Sequence, residues 1–125
     1  MGTYSGILLK KYQAPQWKGE PETVVQFEEA INQTCGDHIK LFMDKKSTLT
    51  WDGKGCMICT ASAEILCNAN NNGLDIPQLF ENLKAENELE NQPELQALVE
   101  TLSEYPTRSK CVMLAWEGFM RMNTQ

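Results

Sequence analysis

The chain has 125 residues, of which 42% are hydrophobic, and a formal net charge of −6. This length suits one domain, 1–125, which can bury about two thirds of its unfolded surface without disulfides. The acidic charge argues against nucleic-acid binding, and the sequence contains neither the roughly 18-residue apolar run of a membrane span nor the apolar core of a signal peptide. The odd number of cysteines, five, is typical of a reducing compartment, so we expect a cytoplasmic protein.

The first 51 residues are predicted to form one helix and three strands. A helix over residues 3–12 is indicated by apolar residues at helical spacing, namely Tyr4, Ile7, Leu8 and Tyr12. Strand-forming residues begin at Val24, apolar and polar residues alternate over 39–43, and residues 47–51 supply a third strand. Because the connections are short, we expect an antiparallel meander with one face exposed to solvent.

A longer helix is predicted from Cys56 to the asparagine cluster at 70–73, because one apolar stripe runs through Ile58, Ala61, Ile65 and Ala69. Cys59 lies one turn into this helix and completes the only Cys-x-x-Cys pair in the chain. We interpret Cys59 as a buried packing residue, with a spare persulfide acceptor as the alternative. Cys67 lies about three turns from Cys56, too far for a shared metal in a straight helix, and is expected in the core.

Three more helices are predicted after the asparagine cluster. Asp75 can cap the first of them, and the charged, asparagine-rich residues 84–92 are expected to form a flexible connection. The next helix begins near Pro93 and ends before Pro106, and the last carries Cys111 near its beginning. The expected fold class is therefore α+β, with a three-stranded antiparallel sheet packed against about five helices.

Three cysteines and one aspartate form the candidate site. Thiolates and carboxylates are both accepted by tetrahedral zinc, so Cys35, Asp37, Cys56 and Cys111 are the candidate ligands. Gly36 allows a sharp turn that brings the side chains on either side of it to one side. Two glycines before Cys56 suit a tight strand-to-helix turn, and a helix beginning there favours a thiolate.

Arg108 and Lys110 precede Cys111, and nearby cations lower a thiol pKa and offset the negative charge of such a site. These residue types alone leave open the alternative that the cysteines are small buried hydrophobic residues. His38 follows Asp37 directly, and on a strand its side chain points the opposite way. We therefore interpret this histidine as a surface or packing residue, with ligation as a minor alternative.

Four motifs resemble those of the IscU/NifU N-terminal family of iron–sulfur assembly proteins, and most closely its SufU branch. They are residues 9–19 (LKKYQAPQWKG), 35–37 (CGD), 51–63 (WDGKGCMICTASA) and 105–116 (YPTRSKCVMLAW). The chain departs from the family at Lys11, which replaces a histidine, and at Trp17, which replaces an asparagine. Cys59 stands where the family usually has serine. Lys110 occupies the position of the IscU histidine, and the proline pair of IscU proteins is missing, which favours the SufU branch.

The resemblance implies a SufU/IscU-like fold and a role in iron–sulfur cluster biogenesis. It implies zinc held by Cys35, Asp37, Cys56 and Cys111, with Arg108 and Lys110 in charge balance and partner contact. A histidine of a SufS-like cysteine desulfurase would replace Cys35 on the metal, freeing that thiolate to accept persulfide sulfur and pass it to a downstream scaffold or apo-protein. One alternative is a scaffold that assembles a 2Fe–2S cluster, or holds Fe²⁺, on the same ligands. Another is a structural zinc domain that only binds a partner.

Overall fold

The computed structural model describes residues 5–123. Within them lie a three-stranded antiparallel sheet in the order β1-β2-β3 and five α-helices, which confirms the predicted fold class. The elements in chain order are α1 (Ser5–Gln13), β1 (Gln26–Asn32), β2 (Asp37–Met43), β3 (Leu49–Lys54), α2 (Met57–Asn71), α3 (Ile76–Lys84), α4 (Pro93–Glu104), a 3-10 turn (Pro106–Arg108) and α5 (Ser109–Met122). The predicted residues 3 and 4 of the first helix, including Tyr4, lie outside the described residues.

The bounds of all three strands differ from the prediction by a few residues: β2 begins at Asp37 rather than residue 39, and β3 begins at Leu49 rather than residue 47. The first strand begins at Gln26 rather than Val24, although the N–H of Val25 still donates to the carbonyl of Met43 at 2.8 Å. The third strand continues past residue 51 to Lys54 and pairs with β2 through Gly53. Gly53 has φ +133°, and a Cβ there would collide with the His38 carbonyl oxygen, so only glycine lets the strand run this far.

Helix α2 is the centre of the molecule. It contacts the sheet, α1 and α5, and the residues from Cys59 to Cys67 are all buried. The single apolar stripe predicted from the sequence therefore understates its burial, because small and polar residues such as Ser62 and Glu64 also face neighbouring elements. A helix covered on all sides fixes the position of its own amino terminus closely, and that terminus belongs to the candidate site.

The buried carboxylate of Glu64 ties the segment after α1 to this central helix. Its oxygens accept the backbone N–H groups of Gln16 at 2.8 Å and Trp17 at 3.0 Å, and the indole N–H of Trp51 at 2.9 Å. The same segment covers the free edge of β3, where the N–H of Gly19 donates to the Trp51 carbonyl at 2.6 Å. The open edge strand that this sheet would otherwise present is thereby covered.

The asparagine cluster does more than end α2. The side chain of Asn71 accepts the N–H of Leu49 at 2.7 Å and donates to the Leu49 carbonyl at 2.8 Å, as a neighbouring strand would. The connection between α3 and α4 is held in a similar way: the buried side-chain amide of Gln96, in α4, accepts the N–H of Leu89 at 2.6 Å.

Among residues 5–123, no helix is both long and apolar enough to cross a membrane.

Candidate metal centre

The turn between β1 and β2 presents the first two candidate ligands. Gly36 has φ +74°, and its N–H donates to the Asn32 carbonyl at 2.8 Å, which closes the turn. Cys35 is exposed in this turn, whereas Asp37 begins β2 and is 1% exposed. The turn therefore combines an accessible thiol with a buried carboxylate.

The carboxylate of Asp37 is held against the start of α2. Its Oδ1 accepts the backbone N–H of Cys56 at 3.1 Å. Its Oδ2 is buried and has no hydrogen-bond partner in the part of the chain that the structure describes. Gly55 makes this approach possible, since a Cβ at that position would lie 2.6 Å from Oδ1. A buried carboxylate oxygen without a donor is the kind of atom that a bound cation satisfies.

Cys56 is the N-cap of α2, as its place after two glycines predicts. Its backbone is extended, with φ −68° and ψ 165°, and its Sγ accepts the N–H of Cys59 at 3.4 Å. The side chain is half-buried. The free N–H groups of the first helical turn therefore face the sulfur of this residue.

Cys111 lies in the first turn of α5 and is 1% exposed. Its place relative to α2 is set by Ser62, whose hydroxyl donates to the Val112 carbonyl at 2.6 Å and accepts the indole N–H of Trp116 at 3.0 Å. Burial, and then the neighbouring Cys56 thiol and Asp37 carboxylate, raise the pKa of Cys111 to about 12. Without a cation, this sulfur therefore stays protonated at neutral pH.

These elements bring three of the four candidate ligands together. Cys35 Sγ, a carboxylate oxygen of Asp37 and Cys111 Sγ all lie within 4.8 Å of one another. Two sulfurs on one zinc ion lie at most about 4.6 Å apart, because each Zn–S bond is about 2.3 Å. Small side-chain movements therefore suffice to close the group around an ion. Cys56 borders the group through its contacts with Asp37 and Cys111 but lies outside this tightest set.

The other residues that the sequence singled out lie around this centre or away from it. Arg108 and Lys110 are exposed, at the N-cap and in the first turn of α5. His38 Nε2 lies 2.6 Å from a Glu29 carboxylate oxygen, so it pairs across the sheet instead of joining the three clustered ligands. Cys67 is fully buried, as expected for a core residue; burial, and then Glu64, raise its pKa well above the ordinary value.

Cys59 is also fully buried, as predicted, but it borders the site. Burial, and then the nearby Asp37 carboxylate and the thiols of Cys56 and Cys111, raise its pKa far above the ordinary value. Sequence reasoning missed Ser62 and Glu64, whose hydrogen bonds join α5 and the segment after α1 to α2. It assigned Gly55 to the turn before Cys56 but missed the space that this glycine leaves for Asp37. For Ser62 and Glu64 the available signal was weak: a serine and a glutamate on an otherwise apolar helix.

Comparison with known proteins finds a matching family and related sequences. The sequence model of the NifU-like N-terminal domain matches residues 3–118. Over 125 residues the chain is 27% identical to a protein of Thermotoga maritima named iron–sulfur cluster assembly scaffold protein IscU, covering 91% of this chain and 87% of that one. Over 128 residues it is 28% identical to a protein of Bacillus subtilis named zinc-dependent sulfurtransferase SufU, covering 92% of this chain and 85% of that one.

Solved structures support the fold independently. A SufU protein of Fervidobacterium islandicum superimposes with a TM-score of 0.76 at 20% identity, covering 98% of this chain and 95% of that one. The amino-terminal NifU-like protein of Brucella abortus superimposes with a TM-score of 0.74 at 11% identity, covering 98% and 91% of the two chains. At these identities the likeness establishes the fold alone.

Proposed function

Because the chain belongs to the family of NifU-like N-terminal domains, we propose that it serves iron–sulfur cluster biogenesis as a zinc-dependent sulfurtransferase. In this role it accepts persulfide sulfur from a SufS-like cysteine desulfurase and passes it to a downstream scaffold or apo-protein. The name of the Bacillus subtilis relative supports this activity. Lys110 in place of the IscU histidine also favours it.

One observation carries the proposal: an exposed thiol lies within 4.8 Å of two buried ligand atoms. Cys35 is exposed, whereas Asp37 and Cys111 are buried on β2 and α5. A partner protein can therefore reach Cys35 Sγ while the other two groups remain on rigid elements. Four protein ligands around zinc make a closed tetrahedral site, which is inert until one ligand leaves. Cys35 is the ligand that a partner can reach, and so the one that it can displace from the metal.

The residues present fit a zinc ion. Asp37 Oδ2 is buried without a hydrogen-bond partner among the described residues, and the glycine at position 55 keeps space for the carboxylate. Cys35, Asp37, Cys56 and Cys111 would hold the ion. Zinc bound there would keep its sulfur ligands as thiolates and join the β1–β2 turn to the first turns of α2 and α5. Arg108 and Lys110 would offset the net negative charge of three thiolates and one carboxylate around a divalent cation.

Cys35 carries the transfer step. Its thiolate attacks the outer sulfur of the desulfurase persulfide, a new Cys35 S–S bond forms, and the S–S bond of the enzyme breaks. The enzyme cysteine leaves as a thiolate, and Cys35 becomes the persulfide. The reaction needs no oxidant, because the outer sulfur only changes its partner. Asp37 and Cys111 stay buried during this step and keep the turn in place.

A second function has support of its own, since the Thermotoga maritima relative is named as an IscU scaffold. In that case the cargo would be a 2Fe–2S cluster assembled on the same thiols, with Asp37 as the weaker ligand. Anaerobic incubation with iron, cysteine and a desulfurase distinguishes the two. The scaffold is supported, and the relay contradicted, if the protein shows the stable visible absorption of a 2Fe–2S cluster. That absorption should correspond to one cluster per protein chain and be lost in Cys35→Ala.

The relay is tested by the rate at which a SufS-like desulfurase turns over cysteine. Zinc-loaded protein should raise that rate, and Cys35→Ala should abolish the increase. Cys67→Ala is the matched control, because it removes a buried thiol remote from the site and should leave the increase intact. If the protein binds one zinc ion per chain but neither it nor Cys35→Ala changes the desulfurase rate, the centre is structural and the relay is wrong.

A further inference from the structure

Two sulfurs at the start of α2 take no part in the sulfur transfer described above, although one of them, Cys56, is a candidate metal ligand. Cys56 is the N-cap of α2, and Cys59 is the third residue of that helix. The N–H of Cys59 donates to Cys56 Sγ at 3.4 Å, so the two residues already contact each other across the first turn. Both cysteines are reduced in the structure.

The spacing of this pair is compatible with a disulfide. With a rise of about 1.5 Å per residue and a Cα radius of about 2.3 Å, Cα atoms three residues apart on a helix lie about 5 Å apart. Disulfides join residues whose Cα atoms lie about 4.4–6.8 Å apart. We infer that Cys56 and Cys59 form a redox-active dithiol, whose reaction partner is a small-molecule disulfide of the glutathione type. Rotation of side chains on one helical turn closes the bond, without moving the sheet or α5.

The reaction balances as two successive exchanges. Cys56 Sγ attacks one sulfur of the glutathione disulfide, forming a mixed disulfide and releasing one glutathione, which takes the Cys56 proton. Cys59 Sγ then attacks Cys56 Sγ, forming the internal disulfide, and the second glutathione leaves with the proton of Cys59. The two cysteines lose two electrons and two protons, and the glutathione disulfide gains them.

Exposure sets the order of these steps. Cys56 is half-buried and within reach of a small molecule, whereas Cys59 is fully buried. Cys59 is therefore the thiol that resolves the mixed disulfide from inside the protein. Cys67, on the same helix but fully buried and farther from Cys56, lacks this geometry.

The competing bond is Cys35–Cys111, because those sulfurs also lie within 4.8 Å of each other. They belong to separate elements, the β1–β2 turn and α5, so that bond would join two distant segments of the chain. The Cys56–Cys59 bond closes the shortest loop available, and its partners share one turn of a rigid helix. We therefore expect it to form first.

The dithiol has a consequence for metal binding, which rests on the proposed function. A sulfur in a disulfide has no thiolate to offer, so the oxidised pair removes Cys56 from the ligand set. Metal and oxidation are then mutually exclusive: bound zinc protects the pair, and the disulfide lowers the affinity for zinc. A family member with serine in place of Cys59 has no such pair.

The test treats the full-length, metal-free protein with glutathione disulfide, alkylates the remaining thiols and digests it with trypsin and a glutamate-specific protease. Cleavage after Lys54 and Glu64 gives residues 55–64, which contain Cys56 and Cys59 but not Cys67. We expect this peptide two hydrogens lighter and without alkyl groups. Cys59→Ser should instead carry one glutathione on Cys56, and Cys67→Ala should behave as the unchanged protein.

Two results would overturn the dithiol. One is full alkylation of residues 55–64 under conditions that oxidise other thiols. The other is a crosslink in place of the internal disulfide, joining the Cys111 peptide, residues 111–117, to the Cys35 peptide, residues 30–40, or to residues 55–64. Circular dichroism verifies that Cys59→Ser is folded, and Cys59→Ala repeats the measurement if it is not.

A second experiment tests whether formation of the disulfide and binding of zinc exclude each other. Zinc-loaded protein should form the internal disulfide at least tenfold more slowly than metal-free protein, and the oxidised form should bind cobalt at least tenfold more weakly until it is reduced. If the disulfide forms at the same rate with and without zinc, the dithiol stands but its coupling to the metal is wrong. That result would also remove Cys56 from the proposed ligands.

Discussion

The Cα atom of Gly55 lies so close to Asp37 that a Cβ at this position would sit 2.6 Å from the carboxylate oxygen Oδ1. The carboxylate thus occupies the space that any other residue at position 55 would fill, and it is held there by the N–H of Cys56. The second glycine before Cys56 therefore does more than permit a turn: it creates the space for a ligand.

We expect Gly55→Ala to weaken zinc binding by about 10–100-fold, the range seen when a group that orients a metal ligand is lost. The added methyl group must push the Asp37 carboxylate away from its place. Competition with a chromophoric chelator measures the affinity. Gly6→Ala is the matched control, because its Cβ would meet no atom within 4 Å. Equal affinities for both variants would show that the carboxylate does not bind the metal.

Part of the alkaline pH dependence of stability follows from the buried thiol of Cys111, whose pKa rises from 9.0 to about 12; Cys59 and Cys67, whose pKa values are also raised, add to it in the same direction. A raised pKa means that the folded protein prefers the protonated thiol. The resulting stabilisation is complete below pH 9 and is lost as the pH rises toward 12. Metal-free protein should therefore melt at lower temperatures across this window, with reductant present. Cys111→Ser, which has no thiol to ionise, should lose less stability over the same interval; an identical loss would contradict the assignment.

We expect Ser62→Ala to destabilise the protein by about 1–3 kcal/mol, because the indole N–H of Trp116 then lacks its acceptor in the core. The Val112 carbonyl loses its donor as well. Urea denaturation with and without zinc measures the change. Ser103→Ala, at an exposed position of α4, should change stability by less than about 0.5 kcal/mol. Equal effects at both positions would contradict the proposed link between α2 and α5.

We expect Glu64→Gln to cost about 2 kcal/mol, because a neutral amide offers one acceptor oxygen where the carboxylate offers two charged ones. The N–H groups of Gln16, Trp17 and Trp51 now share both oxygens. Thermal and urea unfolding measure the loss, with Glu117→Gln at an exposed site of α5 as the control. The intrinsic tryptophan fluorescence should also change, because Trp17 and Trp51 both donate to this carboxylate. Unchanged stability would mean that the segment is held by its strand contacts alone.

Local patterns in the sequence were sufficient to predict the class of fold and the order of its elements. Period-two alternation marked the sheet, apolar periodicity marked the helices, and Asp75 was predicted and found to be an N-cap. The chemistry of Cys35, Asp37, Cys56 and Cys111 likewise suggested a metal centre. Each of these signals lies within a few residues, where the geometry of one strand or one helical turn governs which side chains are neighbours.

Only the tertiary structure decided how those pieces meet. It placed three candidate ligands within 4.8 Å of one another and Cys56 at their border. It also buried α2 on all sides and gave Ser62, Glu64 and Asn71 partners 13 to 54 positions away in the chain. The physical reason is that a contact between distant segments depends on the packing of the whole core. No periodicity along one element specifies which polar atom of another element it will meet.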